Sequence, residues 1–241
     1  MPERELIDRQ VEDGAVTVEL HRRGEAYEVV LDGRRVVASD VRRSERSLVE
    51  LAMAPLRGRD DITVLLAGLG MGFTLRAVLD TPGVTRVDVV ETSAAIIGWD
   101  SRYFAGLNGD ALKDPRVKLH HVELGAFLKQ LRLGAAPDLP TEGYLLFLLD
   151  LDEGPATLSR PGNAGFYTDE GLERLEAPLR PGGVLGLWSS ARDIDLMKRM
   201  QRRFQNVAEV VVPVELEDKM VMDYVYRARR HPPPQDPQRA N

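Results

Sequence analysis

Asp150, Asp152 and Glu153 place three carboxylates within four positions, directly after the most apolar run of the chain, Tyr144-Leu145-Leu146-Phe147-Leu148-Leu149. Acids that close raise one another's pKa unless a cation lies among them. An amine substrate supplies such a cation, and a neighbouring carboxylate can take its proton as the nitrogen turns nucleophilic. Two other readings stay open on the residues alone: solvated acids that cap the next segment, and a divalent-metal site completed by waters or phosphates, although nothing in the chain points to phosphates.

A second constellation lies upstream. Val64-Leu65-Leu66-Ala67 runs into Gly68-Leu69-Gly70-Met71-Gly72-Phe73-Thr74-Leu75, a buried strand followed by a glycine turn and a helix. Glycines at 68, 70 and 72 let the backbone come close to a ligand where a Cβ would intrude. Nineteen residues beyond Gly72, Glu91 closes the next strand, where a carboxylate accepts both ribose hydroxyls of a nucleoside. Phe73 stands where a dinucleotide fingerprint has its third glycine, and S-adenosylmethionine (AdoMet) carries no diphosphate to satisfy. The bland alternative is a tight strand-to-helix turn with no ligand.

Glu123 ends the third strand of this series, after His120-His121-Val122. There it can accept from an adenine amino group or serve as an acid favoured by a helix N-terminus. The two histidines occupy adjacent strand positions that face opposite ways, so they are read as structural or surface residues rather than metal ligands.

These groups need elements to hold them. The pattern predicts strand 62–67, helix 72–79, strand 86–90, helix 94–103, strand 117–122, helix 124–132, strand 144–149, helix 168–178, strand 183–188 and helix 193–204. That alternation signals βαβ crossovers, and runs without polar alternation are those of parallel strands covered on both faces. Two β-rich runs, 207–214 and 220–228, read as a closing hairpin. Short β-like runs between residues 16 and 39, with an Asp32-Gly33 turn, predict a small antiparallel unit, followed by a helix over 44–56 that Pro55 ends. The expected organisation is residues 1–55 as the N-terminal β-hairpin unit with its linking helix, 56–230 as the binding and catalytic domain, and 231–241 as a disordered tail.

Composition bounds what such a protein does. The 241 residues carry 32 Lys and Arg against 38 Asp and Glu, so a net charge of -6 gives no global positive field of the kind that gathers nucleic acid. With no cysteine and four histidines, disulfides, thiolate zinc sites and Cys nucleophiles are excluded, and metal chemistry is sparse. The charged N-terminus and the lack of any long apolar run read as a cytoplasmic protein without a membrane partner.

From about Tyr27 to Arg227 the chain resembles the spermidine synthase (polyamine aminopropyltransferase) family. The stretch VLLAGLGMGFTLRAVLDTPGVTRVDVVETS, then SRYFAGLNGDALKDPRVKLHHVELGAFL, is similar to that family's glycine motif, ribose acid, D-P-R-V segment and adenine acid, in order. DLDEGP, GFYTDEGL and LRPGGVLGLWSS are similar to its catalytic loop, the helix entry after it and the fifth strand. The resemblance implies a doubly wound, mostly parallel seven-stranded α/β sheet of the class I AdoMet-methyltransferase type beside the small N-terminal β-rich unit.

It also implies roles. Gly68, Gly70, Gly72, Glu91 and Glu123 would hold decarboxylated AdoMet, or AdoMet, as co-substrate. Asp150 would orient and deprotonate the attacking amine, Asp152 would help bind it, and Glu50, Glu153 and Tyr167 would lie on the substrate side. The amine would displace the aminopropyl group in line and methylthioadenosine would leave, with no metal required; a homodimer built partly through the N-terminal strands is expected.

The departures fall on substrate groups rather than nucleoside groups. Met71 replaces an acid of the glycine motif, Val36 stands where Gln is usual, Leu48-Val49-Glu50 replaces Tyr-His-Glu, and the catalytic loop is about two residues shorter. An AdoMet-dependent methyltransferase and a non-catalytic nucleoside-binding relative are therefore the competing expectations. An NAD-dependent dehydrogenase rests on fold analogy alone.

Overall fold

The structure is a computed structural model that describes residues 3–40, 43–134, 138–151, 154–216 and 219–232. Asp152, Glu153 and residues 233–241 of the expected tail lie outside the described residues.

Four antiparallel strands form the N-terminal sheet in the order β1 (Arg4–Glu12), β2 (Val16–Arg23), β3 (Ala26–Leu31), β4 (Arg34–Ala38). Asp32 and Gly33 both take positive φ between β3 and β4, as the hairpin signal requires. Strand β1 is an element the sequence pattern did not announce. It lies at the sheet edge with Leu6 and Val11 exposed, so it has no fully buried face to produce apolar alternation. Val18, Leu20, Val29 and Leu31 pack into the same apolar cluster as Val64, Leu66 and Val87 of the large sheet. The linking helix α1 (Arg43–Met53) buries Leu48, Val49, Ala52 and Met53, and a 3-10 turn containing Pro55 ends it.

The large sheet has seven strands: β5 (Ile62–Ala67), β6 (Val84–Glu91), β7 (Val117–His121), β8 (Tyr144–Leu149), β9 (Leu179–Ser189), β10 (Gln205–Leu216) and β11 (Lys219–Arg229). Their order is β10-β11-β9-β8-β5-β6-β7, parallel from β9 to β7 and antiparallel at the β10–β11 hairpin and where β11 meets β9. Every residue of β8 is buried. On β5, Val64 and Leu66 join one core cluster while Leu65 and Ala67 join the other, because successive side chains face opposite ways and helices cover both faces.

Helices α2 (Phe73–Leu79), α3 (Ala94–Trp99), α4 (Ala105–Asn108), α5 (Leu124–Arg132), α6 (Asp169–Glu176) and α7 (Ile194–Arg203) complete the fold. The expected helix over 94–103 is shorter: residues 100–104 widen into a π-helical turn before α4. Among the described residues no helix is long and apolar enough to cross a membrane.

The chain runs outward from β5 through β6 to β7, then returns to the other side of β5 with β8 and β9. The strand order thus reverses between β5 and β8. In open α/β sheets a crevice forms at the carboxyl ends of the strands flanking such a reversal. The glycine turn leaves β5 there, and the acidic loop leaves β8 beside it.

Candidate active site

The glycine turn is shaped by what presses on it. Gly68 has φ +98, and a Cβ there would run into the carbonyl oxygen of Asp150. Gly72 has φ +78, and a Cβ there would strike the Asn108 side-chain amide. That amide donates 3.0 Å to the Met71 carbonyl and 2.7 Å to Asp100, fastening the turn to α4 from behind. Gly70 has φ +53 with open space where a Cβ would be, on the side that lines a cavity.

Glu91, at the end of β6, is 6% exposed. One carboxylate oxygen accepts the N–H of Leu69 at 2.9 Å and the other that of Ser93 at 2.8 Å. Burial pushes its pKa up, while the backbone donors and the nearby Arg160 favour the charged form. A carboxylate has about four lone-pair sites, so these backbone donors do not exhaust it and it can still accept from a ligand's hydroxyl.

Beyond Glu91, the N-terminal sheet reaches over the site. Glu12 accepts from the Ser93 hydroxyl and the Ala95 N–H, both at 2.9 Å, and its second oxygen takes Arg160 at 3.1 Å. Arg160 also holds Asp13 at 2.6 Å. Trp99 donates to Asp8 at 2.8 Å. These bonds join β1 to both ends of α3 and to the segment that follows the acidic loop.

Asp150 stands at the end of β8, its N–H donating to the Ala67 carbonyl at 2.9 Å. Its Oδ2 accepts the Thr74 hydroxyl at 2.6 Å. Burial pushes the Asp150 carboxyl up and the Thr74 bond pulls it back. Raised carboxyls in a cleft suit proton acceptance near neutral pH.

A cavity of about 450 Å³ runs along this edge, a size that suits a small ligand. Gly68, Gly70, Glu91, Glu123 and Asp150 all line it, so five of the expected site residues share one space. Thr92, Ser93, Val122 and Leu124 line it with them. Val36, Val37, Glu45, Trp188, Val214 and Asp223 also contribute to its walls, from β4, α1, β9, β10 and β11. Glu123 lines the cavity and also caps α5, accepting the Ala126 N–H at 2.8 Å.

Other expected residues lie elsewhere. Glu50 is outside the cavity walls, on the exposed side of α1, paired with Arg46 at 2.8 Å. Tyr167 is buried in the apolar cluster with Phe166 and Leu172 and does not line the cavity. Gly72 supports the turn without reaching the cavity wall. Thr74, Arg160 and Asp223 were not singled out in the sequence. For Asp223 a signal exists: it is a lone acid inside the apolar run Val221-Met222-Asp223-Tyr224-Val225, and it is 6% exposed.

The histidines serve the scaffold. His120 meets the buried Asp88 at 2.7 Å, which Arg86 also holds at 2.6 Å, and His121 lies near the Thr92 carbonyl. Among the described residues no group of three or more His, Asp or Glu is placed to hold a metal ion.

An open, mostly parallel α/β sheet with a ligand-sized cavity at its switch point, bounded by a glycine turn and buried carboxylates, defines the class. No family model matches the chain. It is 33% identical over 174 residues to polyamine aminopropyltransferase 2 of Streptomyces coelicolor, covering 70% of this chain and 28% of that protein. The Mycobacterium tuberculosis polyamine aminopropyltransferase is 29% identical over 165 residues, covering 68% of this chain and 29% of the relative. Putrescine N-methyltransferase 1 of Nicotiana tabacum is 31% identical over 126 residues, 51% of this chain and 29% of that enzyme. The chain thus spans less than a third of the length of these curated relatives.

Among solved structures, the spermidine synthase of Thermotoga maritima matches with a TM-score of 0.69 at 15% identity, over 93% of this chain and 72% of that one. A spermidine synthase in complex with the transition state analogue AdoDATO matches with the same TM-score at 14% identity, over the same shares. These likenesses support a divergent spermidine synthase-family member, and the solved structures share its fold.

Proposed function

We propose that the protein is a transferase that binds an adenosyl sulfonium along the carboxyl edge of the large sheet and passes its aminopropyl group to an amine. The observation that carries this reading is the shared cavity. Glu91, Glu123 and the positive-φ Gly68 and Gly70 surround a nucleoside-sized space, and Asp150 opens onto the same space.

In this reading the ribose hydroxyls donate to Glu91 and the adenine amino group to Glu123, with the glycine turn against the sulfonium. The amine nitrogen attacks the carbon bonded to the sulfonium, the C–S bond breaks, and its electron pair stays on sulfur as neutral methylthioadenosine. Asp150 takes the proton that the nitrogen loses. No charged side chain of the turn meets the donor's own tail, because Met71 is buried there. The donor is decarboxylated AdoMet or a related sulfonium.

Glu45 and Asp223 stand in the same cavity, with Val36, Val37 and Val214 as apolar walls. That combination fits an alkyl amine with a second cationic group. A homodimer formed through the N-terminal sheet, whose edge strand β1 exposes Leu6 and Val11, and a cytoplasmic location belong to the same proposal.

A second reading, methyl transfer to an amine from AdoMet, draws on the 31% identity to the putrescine N-methyltransferase. Incubation with decarboxylated AdoMet or AdoMet and a panel of diamines separates the two, since the first releases methylthioadenosine and the second S-adenosylhomocysteine. Binding of methylthioadenosine without either product would leave a non-catalytic nucleoside binder.

A further inference from the structure

We propose that Thr74 is the positioning residue of the base: its hydroxyl fixes Asp150 Oδ2 and so turns Oδ1 to the acceptor amine. The inference rests on the reading of Asp150 as the proton acceptor.

The backbone of Asp150 has little freedom. Its N–H is bonded to Ala67, and its carbonyl oxygen lies against the α-carbon of Gly68 so closely that a methyl group there would collide. What remains is rotation of the side chain, and Thr74 removes it. Thr74 is 2% exposed, in the first turn of α2, and β-branching leaves its χ1 few choices. Its hydroxyl reaches Oδ2 at 2.6 Å, within the range of bonds to an ionised carboxylate.

The same bond selects a protonation state. While the Thr74 proton points at Oδ2, that oxygen is an acceptor, and the carboxylate can receive its next proton on Oδ1. A protonated Asp150 would have to give up this arrangement or hold its proton on the oxygen that faces the amine. Burial acts the other way by favouring the neutral acid, and Thr74 is the group that opposes it. The glycine turn therefore does two jobs: residues 68 to 70 shape the donor site, and four residues after Gly70 the following helix aims the base.

The test uses Thr74→Val, which keeps the shape and removes the donor, and Thr74→Ser, which restores the donor. With a sulfonium donor and an amine that the wild type turns over, Thr74→Val is expected to lower kcat about tenfold to a hundredfold, the scale of a misplaced catalytic group. It should also move the acidic limb of the pH profile to higher pH while leaving the donor KM near its wild-type value. Thr74→Ser should recover both. A valine variant with unchanged kcat and an unchanged acidic limb overturns the proposal.

A second measurement needs no turnover. Carbon NMR of protein with labelled aspartate carboxyls, assigned by comparison with Asp150→Asn, follows the Asp150 titration in the protein without substrate. The midpoint should rise in Thr74→Val and return in Thr74→Ser; a midpoint that stays in place defeats the inference. If the wild type released no nucleoside product from any donor and amine pair, the transferase reading would fail, and the titration would still decide what Thr74 does to Asp150.

Discussion

The Glu91 carboxylate accepts the backbone N–H of Leu69 at 2.9 Å, across the gap between the end of β6 and the glycine turn after β5. One buried acid thus holds the turn in shape and offers its remaining lone pairs to the cavity. The cavity and the fold of its own wall share a residue.

Replacing Glu91 tests that sharing. On the proposed reading Glu91→Ala removes charge-assisted bonds to a ribose and loosens the turn, so methylthioadenosine affinity should fall by roughly tenfold to a hundredfold. Isothermal calorimetry measures it, and an unchanged Kd would remove Glu91 from the nucleoside site.

Gly68 and Gly70 should part company when changed to alanine. At Gly68 the added methyl meets the Asp150 backbone at a φ that L-residues avoid, so the variant should lose about 2 to 3 kcal/mol or fail to fold. At Gly70 only the left-handed backbone costs, about 1 kcal/mol, but the methyl projects where the ligand would lie. Gly70→Ala should therefore melt only a few degrees lower and bind methylthioadenosine weakly; equal melting temperatures for the two variants would contradict this.

Asp150 predicts opposite pH trends for activity and stability. Its pKa is raised by burial, so the folded state holds that proton more tightly than the unfolded chain does. Stability from this site is greatest below the unfolded value and is lost as pH rises through the raised folded value, whereas turnover, with Asp150 as the proposed base, needs the ionised form and rises over the same interval. Asp150→Asn should melt higher than the wild type at neutral pH, with the difference shrinking in acid, and should lose about a hundredfold to ten-thousandfold in kcat with nucleoside affinity kept. A variant with the wild-type rate would end the assignment of Asp150 as base.

Asp223→Asn addresses the acceptor. The cavity reading expects the amine KM to rise about tenfold with the methylthioadenosine Kd unchanged, most clearly for amines with a second cationic group. Equal effects on mono- and diamines would remove Asp223 from substrate recognition.

Asp114 behaves in the reverse sense to Asp150. The Arg116 guanidinium bonds it at 2.8 Å and holds its carboxyl down at about 2. Arg116 also donates to the carbonyls of Leu79 and Val84, so the D-P-R-V segment ties the end of α2 and the start of β6 to β7. A depressed carboxyl contributes stability above its unfolded pKa and loses it as pH falls from near 4 towards 2, on the order of 1 kcal/mol once solvent screening is counted. Acid titration of melting temperature should show this loss in the wild type and not in Asp114→Asn.

How much of this was written in the linear chain depends on the range of each interaction. The glycine turn, Glu91 and Glu123 were legible because each sits at a strand end next to its own turn or helix, and strand, turn and helix follow in contiguous residues. The central strands were legible because strands buried on both faces must be apolar throughout, as β8 is. Strand β1 left no such trace, since an edge strand paired on one side can stay charged and exposed.

Family pattern alone placed Glu50 and Tyr167 near the substrate, but the direction a side chain faces is set by packing. Glu50 points to solvent from a helix whose other face is the core, and Tyr167 fills an apolar cluster. The contacts that build the site, Thr74 to Asp150, Glu12 to Ser93 and Arg160 to Glu12, join residues 76, 81 and 148 positions apart. Local residue types set which strands form and where the chain must turn. Only the closing of the sheet, which brings the ends of β5 and β8 side by side and lays the N-terminal strands across them, decided which polar groups face one another, because burial of both faces leaves those strands a single shared edge open.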